Sequence, residues 1–319
     1  MQKASVFDVH TLSTHDGPGI RTVFFFKGCT LKCSWCQNPE SIEIKNQVWH
    51  YSPKCLGCHK CVEACPQNAI SPDKEKGIVI DYSICDGCGI AVDVCPGKAL
   101  KRIGEPYTLE KAMEIVHRDK PFLQKAVGGG ITVSGGEPLI QADFVSELFK
   151  GCKELDLHTA VDTCGAVSWS SFEKVFPYTD MYLYDVKLID SKKHRCHTGA
   201  ENGFILNNLT TLAEKIRRER PGTEIWIRTP IIPDATFSEE NIAGIAEFLG
   251  NNVSDVVSRW ELCSFNPLPD EKYKRLGLKW KYSGTPLLSR EEGEKVLSWG
   301  KNNYPFPEKV IFTGMTSKE

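Results

Sequence analysis

Gly28-Cys29-Thr30-Leu31-Lys32-Cys33-Ser34-Trp35-Cys36-Gln37-Asn38-Pro39 is the stretch on which the reading of this chain turns, and its cysteines are spaced Cys-x3-Cys-x2-Cys. Three thiolates on one short loop can hold three irons of a four-iron, four-sulfur cluster, leaving the fourth iron to a molecule from outside the protein. Three close cysteines also fit a zinc site or inert core thiols. Zinc motifs, however, usually come as two Cys-x2-Cys pairs completing a tetrahedron, and no pair with that logic closes this loop. An incomplete iron-sulfur cluster, and hence a site for chemistry, is the favoured reading.

Working outward, the chain holds fourteen cysteines in 319 residues. Met1 to His10 show no basic start followed by an apolar stretch. Without a secretory signal the expected location is the cytoplasm, a reducing compartment where clustered cysteines bind metal rather than pair as disulfides. No apolar run approaches the roughly eighteen residues a membrane span requires, so no membrane partner is expected. A net charge of -2 offers no basic footprint for nucleic acid.

Downstream lies a denser group: Cys55-x2-Cys58-x2-Cys61-x3-Cys65-Pro66, then Cys85-x2-Cys88 and Cys95-Pro96. In the bacterial ferredoxin pattern three close cysteines ligate one cluster, and the fourth, before proline, ligates the other. That rule assigns Cys55, Cys58, Cys61 and Cys95 to one cluster. A second would take Cys65, Cys85 and Cys88, but its remaining ligand position is Ala91. Three irons, four irons with water or an oxygen of Asp86 or Asp93, or no cluster at all remain open there, so one or two additional clusters are expected.

The pattern divides the chain into a Gly-, Pro- and Cys-rich insert, residues 50–103, and a flanking domain, 1–49 and 104–319. In the flanking domain, strands are expected at Thr22–Phe26, 131–133, 158–161, 181–186, 224–228 and 260–264. Helices are expected at 109–118, 142–155, 209–218, 239–249 and 290–299. Repeated strand-helix units imply an α/β fold with a parallel sheet, and about six units suggest an open, partial barrel with its site at the carboxyl ends of the strands. One such end is Ser134-Gly135-Gly136-Glu137-Pro138, where paired glycines admit a ligand close to the backbone and Glu137 can accept hydrogen bonds from an ammonium group. The histidines, including His15, His117, His158, His194 and His197, show no ligand spacing. Cys152, Cys164, Cys196 and Cys263 read as small buried residues.

These motifs together resemble the radical S-adenosylmethionine enzymes, and within them the glycyl-radical-enzyme activating enzymes, relatives of the pyruvate formate-lyase activator. The residues that carry the resemblance are Asp16-Gly17-Pro18-Gly19-Ile20-Arg21, the Cys29 to Glu40 loop, Gly128 to Leu139, Asp162-Thr163-Cys164-Gly165 and Tyr184-Asp185-Val186-Lys187. The resemblance implies a partial (β/α)6 barrel of the radical S-adenosylmethionine type with a ferredoxin-like iron-sulfur insert, as in the larger members of the family. It also implies reductive cleavage of S-adenosylmethionine to methionine and a 5′-deoxyadenosyl radical that abstracts hydrogen from a glycine of a partner enzyme. A radical enzyme acting on a small molecule, or an electron-transfer iron-sulfur protein, is the alternative.

Carried over by position, the resemblance puts the catalytic cluster on Cys29, Cys33 and Cys36. It puts the cofactor against Trp35, Gly135, Gly136, Glu137, Asp185, Lys187, Arg228 and Asn266, with Asp185 and Lys187 beside the reacting centre. Asn266 stands where a relative has histidine, and Asn cannot carry a proton. A monovalent cation is expected on Asp162, Thr163, Asp185 and the Val186 carbonyl. The expected partners are a glycyl radical enzyme, which offers its glycine loop, and a flavodoxin or ferredoxin electron donor, with the chain itself a monomer.

Overall fold

The run Thr22–Phe26 is mostly apolar, and in the computed structural model, which describes residues 3–317, the strand Arg21–Phe26 that contains it is almost wholly buried inside the sheet. Along the chain the strands are β1 (Lys3–Ser13), β2 (Arg21–Phe26), β3 (Gln47–His50), β4 (Ile70–Asp73), β5 (Gly77–Ile80), β6 (Leu100–Ile103), β7 (Glu105–Thr108), β8 (Gly130–Gly135), β9 (His158–Thr163), β10 (Met181–Asp185), β11 (Glu224–Ile231), β12 (Val257–Ser264) and β13 (Val310–Thr313). The helices are α1 (Lys60–Ala64), α2 (Ile90–Asp93), α3 (Leu109–Leu123), α4 (Ala142–Glu154), α5 (Trp169–Val175), α6 (Ser191–Thr198), α7 (Gly203–Glu219), α8 (Glu239–Asn252), α9 (Asp270–Arg275) and α10 (Arg290–Asn303).

Nine strands form one open sheet in the order β13-β12-β11-β10-β9-β8-β2-β1-β7. From β2 to β13 every neighbouring pair is parallel, while β1 and β7 add antiparallel strands on the β2 side. The six expected strands are all present. The reading missed β1, β7 and β13, along with helices α5, α6 and α9. β13 and β7 are only four residues long, and β1 is exposed along much of its length, so none carries the strong apolar run that marks a core strand.

Helix faces seal the sheet. On α4 the buried residues Ala142, Val145, Leu148, Phe149 and Cys152 recur three and four apart, as do Ile205, Leu209, Leu212, Ala213 and Ile216 on α7. Helix starts are capped where the sequence supplies an oxygen: Thr108 accepts from the Lys111 amide, and Ser289 with Glu292 forms a reciprocal capping box. At the amino ends of β2 and β8, the fully buried Arg21 donates to the Gly128 and Ile131 carbonyls and to Thr132 Oγ1, binding the Asp16–Arg21 turn to the sheet.

Between β2 and β7 the chain leaves this sheet. β3 pairs antiparallel with β6, so the excursion opens at Gln47 and closes at Ile103, with the β4–β5 hairpin and two short helices between. It has its own apolar centre, including Val48, Ile70, Ile78, Ile80 and Leu100. Tyr82 Oη donates to the Val48 and Arg275 carbonyls, both at 2.8 Å, which fastens the excursion to the main body.

Candidate functional site

Parallel register brings the carboxyl ends of consecutive strands together. Phe26 lies beside Gly135, Tyr184 beside Thr163, and Asp185 beside Arg228. The cysteine loop leaves the end of β2 and is pinned by distant chain. The amides of Cys29, Lys32 and Ser34 donate to the carbonyls of Ile42 (3.0 Å), Thr198 (2.7 Å) and His197 (2.8 Å), and Tyr273 Oη donates to the Cys36 carbonyl at 3.2 Å. Trp35 is buried in an aromatic group with Phe265, Tyr273 and Trp280, which holds the loop from behind.

A cavity of about 240 Å³ opens at this end of the sheet. Cys29, Cys33, Cys36, Trp35, Gly135, Gly136, Asp162, Thr163, Asp185, Lys187 and Arg228 all reach it. Glycine is required at its wall: a Cβ on Gly136 would stand 2.2 Å from the Gly28 carbonyl oxygen, and Gly135 has φ +114°. Two expected residues do not line the cavity. Glu137 is fully buried, its oxygens accepting from Thr163 Oγ1 (2.8 Å), the Cys164 amide (2.8 Å) and the Leu139 amide (3.0 Å). Here it braces the β9 turn, and burial raises its pKa against those three donors. Asn266 turns its side-chain oxygen to the Leu268 amide at 3.2 Å.

Electrostatics at the cavity are tightly paired. Lys187 Nζ contacts Asp185 Oδ2; burial opposes the ammonium charge, but the adjacent carboxylate raises its pKa overall. Burial lifts the Asp162 carboxyl to about 6 although Arg228 opposes it, and Ser134 Oγ donates to Asp162 at 2.7 Å. Arg228 links three elements: it lies 3.6 Å from Asp162, donates through Nε to Glu261 at 3.1 Å, and donates to the His15 carbonyl at 2.9 Å, so the Asp16–Arg21 turn reaches the cavity through its neighbour. Of the four oxygens expected to hold a cation, those of Asp162, Thr163 and Asp185 border the cavity, whereas the Val186 carbonyl accepts from Thr229 Oγ1 at 2.8 Å.

The thiols suit a cationic cluster. Burial pushes the Cys33 thiol up to about 12 and raises Cys36 as well, so neither ionises at neutral pH until a metal compensates the charge. Cys164 is buried as the sequence reading expected, and what that reading missed is its place at the cavity wall. There a hydrogen bond shared with Cys29 lowers the Cys29 pKa and raises that of Cys164. Its signal was its place directly after Asp162-Thr163 at a strand end. Cys152 is buried as expected, but Cys196 is exposed on α6 and Cys263 reaches the cavity at the end of β12, because strand-end and helix-surface positions escape the core.

In the excursion, one small cavity is bordered by Cys55, Cys58, Cys61 and Cys95, and another by Cys65, Cys85, Cys88 and Ala91. This is the crossed grouping the ferredoxin spacing predicts. Among the described residues no three His, Cys, Asp or Glu side chains converge closely enough to share one metal ion. No helix among the described residues is long and apolar enough to cross a membrane.

A family model described as a 4Fe-4S single cluster domain matches residues 15–202. The chain is 38% identical over 271 residues to the isethionate sulfite-lyase activating enzyme of Oleidesulfovibrio alaskensis, covering 84% of this chain and 85% of that one. It is 39% identical over 284 residues to the indoleacetate decarboxylase activating enzyme of Tractidigestivibacter scatoligenes, covering 86% and 87%. It is 35% identical over 317 residues to the choline trimethylamine-lyase activating enzyme of O. alaskensis, covering 97% and 98%. Among solved structures, Streptococcus suis SuiB bound to precursor peptide SuiA shares the fold, with TM-score 0.54 at 14% identity over 92% of this chain and 48% of that one.

Proposed function

We infer the workings of the site from one premise: the chain belongs to the glycyl radical enzyme activating enzymes, oxidoreductases of the radical S-adenosylmethionine class. A 4Fe-4S cluster with S-adenosylmethionine supplies, when bound, one-electron cleavage to methionine and a 5′-deoxyadenosyl radical, which takes a hydrogen atom from a glycine of the partner glycyl radical enzyme. Cys29, Cys33 and Cys36 hold the cluster in our reading, and the cavity receives the cofactor. The observation that carries this is the meeting of those three thiols, the Gly135-Gly136 backbone, the Asp185–Lys187 pair and Arg228 at one cavity.

Each residue then has a task. The Gly135-Gly136 backbone receives the methionyl end, and Glu137 acts from behind the wall by fixing the Thr163-Cys164 turn. Asp162, Thr163 and Asp185 offer oxygens to a monovalent cation, a hard ion suited to such ligands. Lys187 and Arg228 hold the neighbouring carboxylates in place, and Trp35 keeps the loop from moving.

The wider architecture we propose is a partial (β/α)6 barrel carrying a ferredoxin-like insert. The insert passes electrons from a flavodoxin or ferredoxin, and the enzyme works as a monomer in the cytoplasm, where its cysteines bind metal rather than pair as disulfides. The test is anaerobic reconstitution with iron and sulfide, addition of S-adenosylmethionine and dithionite, and assay of 5′-deoxyadenosine by chromatography and mass spectrometry. Formation that disappears in Cys33→Ala is the expected result. Formation that persists in Cys33→Ala would overturn the ligand assignment.

A further inference from the structure

The two halves of the excursion repeat one backbone. Gly57 and Gly87 share positive φ (64° and 71°), as do His59 and Gly89 just before α1 and α2 (56° and 80°), and Asn68 and Lys98 after each Cys-Pro pair (50° and 50°). Cys65 Sγ accepts from the Ala69 amide and Cys95 Sγ from the Ala99 amide, both at 3.3 Å. Cys61 and Ala91 hold the same position in their helices at nearly equal depth, 8% and 6% exposed. Ala91 therefore does not mark a divergent loop. It is a ligand position, intact in its backbone, with a methyl group where the other half has a thiol.

Neighbouring oxygens are already engaged. Asp93 Oδ2 accepts from Arg102 at 2.6 Å. Asp86 Oδ1 accepts from the Cys88 amide at 3.0 Å, and its Oδ2 accepts from Gln67 Nε2 at 2.6 Å, while Gln67 Oε1 lies 3.8 Å from Cys88 Sγ. Both oxygens of Asp86 are thus engaged by the protein's own donors, and one oxygen of Asp93 is paired with Arg102. Cys88 and Asp86 are both exposed, so solvent reaches this half.

We propose that the half formed by Cys65, Cys85 and Cys88 holds an iron-sulfur cluster whose fourth iron has no protein ligand, is open to small thiolates or cyanide from solvent, and leaves readily on oxidation. The proposal rests on the reading that this segment binds iron-sulfur clusters. Ferricyanide takes one electron from the cluster and becomes ferrocyanide. The under-ligated iron departs as ferrous ion, and a three-iron, four-sulfur cluster with only ferric irons remains.

The test uses the full-length protein with Cys29, Cys33 and Cys36 all changed to alanine, so that the catalytic loop contributes no labile iron. Iron and sulfide are measured after anaerobic reconstitution. Ferricyanide is then titrated while released ferrous ion is read with a colorimetric chelator and the cluster by electron paramagnetic resonance. The expected result is two clusters per chain, release of one iron per chain and a three-iron signal. Adding Ala91→Cys abolishes both release and signal, and adding Cys61→Ala instead doubles the iron released. Two clusters that release no iron would overturn the proposal, as would iron for a single cluster that Ala91→Cys fails to increase. Absence of all bound iron would overturn the underlying reading of the segment as well.

Discussion

The cysteine loop at the end of β2 and the cysteines of the excursion carry the same side chain, yet the protein holds them by opposite means. Around Cys29, Cys33 and Cys36 one anchoring partner, Ile42, is nearby in sequence, but Thr198, His197 and Tyr273 are more than 150 residues away. Around Cys65 and Cys95 the stabilising amide is four residues away, and Cys58 and Cys88 are exposed. The excursion needs only local turns to present its thiols, whereas the catalytic loop needs the whole sheet. A site that generates a reactive radical must exclude solvent, which is what the distant anchors of the first loop serve.

The largest expected effect separates the two regions. Cys33→Ala lowers 5′-deoxyadenosine formation to background, beyond the roughly 10- to 100-fold typical of losing an outer-shell partner, while iron in the excursion stays bound. Cys58→Ala does the reverse: with a strong chemical reductant, cleavage continues while iron content falls. Equal loss in both variants would erase the distinction drawn above.

Next in size is the cavity's ion pair. Lys187→Ala strips Asp185 of its contacting cation, and because the pair is largely buried the change costs about 3 kcal/mol, measured by urea unfolding of the apoprotein. A shift of midpoint no larger than that of an exposed pair would show that water already screens this end of the sheet. Thr163→Val removes one donor from the buried Glu137 carboxylate and is expected to cost about 1.5–3 kcal/mol by the same measurement.

A subtler break uses pH. Burial holds the Asp162 carboxyl at about 6, above the ordinary 3.8. Its contribution to stability is therefore fully present below 3.8 and is lost as pH rises through 6. Cation binding runs the other way, since it needs the carboxylate. Stimulation of cleavage by potassium is expected to fade as pH drops through about 6 in the native enzyme, and to be absent at every pH in Asp162→Asn. The smallest effect belongs to the excursion's surface: Asp93→Ala breaks an exposed pair with Arg102 and should change stability by no more than about 0.5 kcal/mol.

Much of this arrangement was legible before any coordinates. The six apolar runs became six parallel strands because a strand buried on both faces has little choice of residue. The crossed grouping of Cys55, Cys58 and Cys61 with Cys95 at one small cavity matches the ferredoxin pattern, although Cys95 comes from the far half of the excursion. What escaped was set by direction. Glu137 stands in the expected motif, but its side chain turns away from the cavity. Cys164 is the core residue it looked like and also lines the cavity, while Cys263 is only half-buried there, since spacing alone does not say which strand ends meet at a cavity.

The sequence by itself determined the family and the alternation of strands and helices, because those are written in short motifs and apolar runs along one chain. Only the tertiary structure decided which thiols and carboxylates meet at the cavity, that Arg228 ties Asp162, Glu261 and the His15 carbonyl together, and that Ala91 occupies a ligand position with its backbone intact. Those outcomes depend on parallel register and on burial, which bring together residues far apart in sequence and set the free energy of every charge between them.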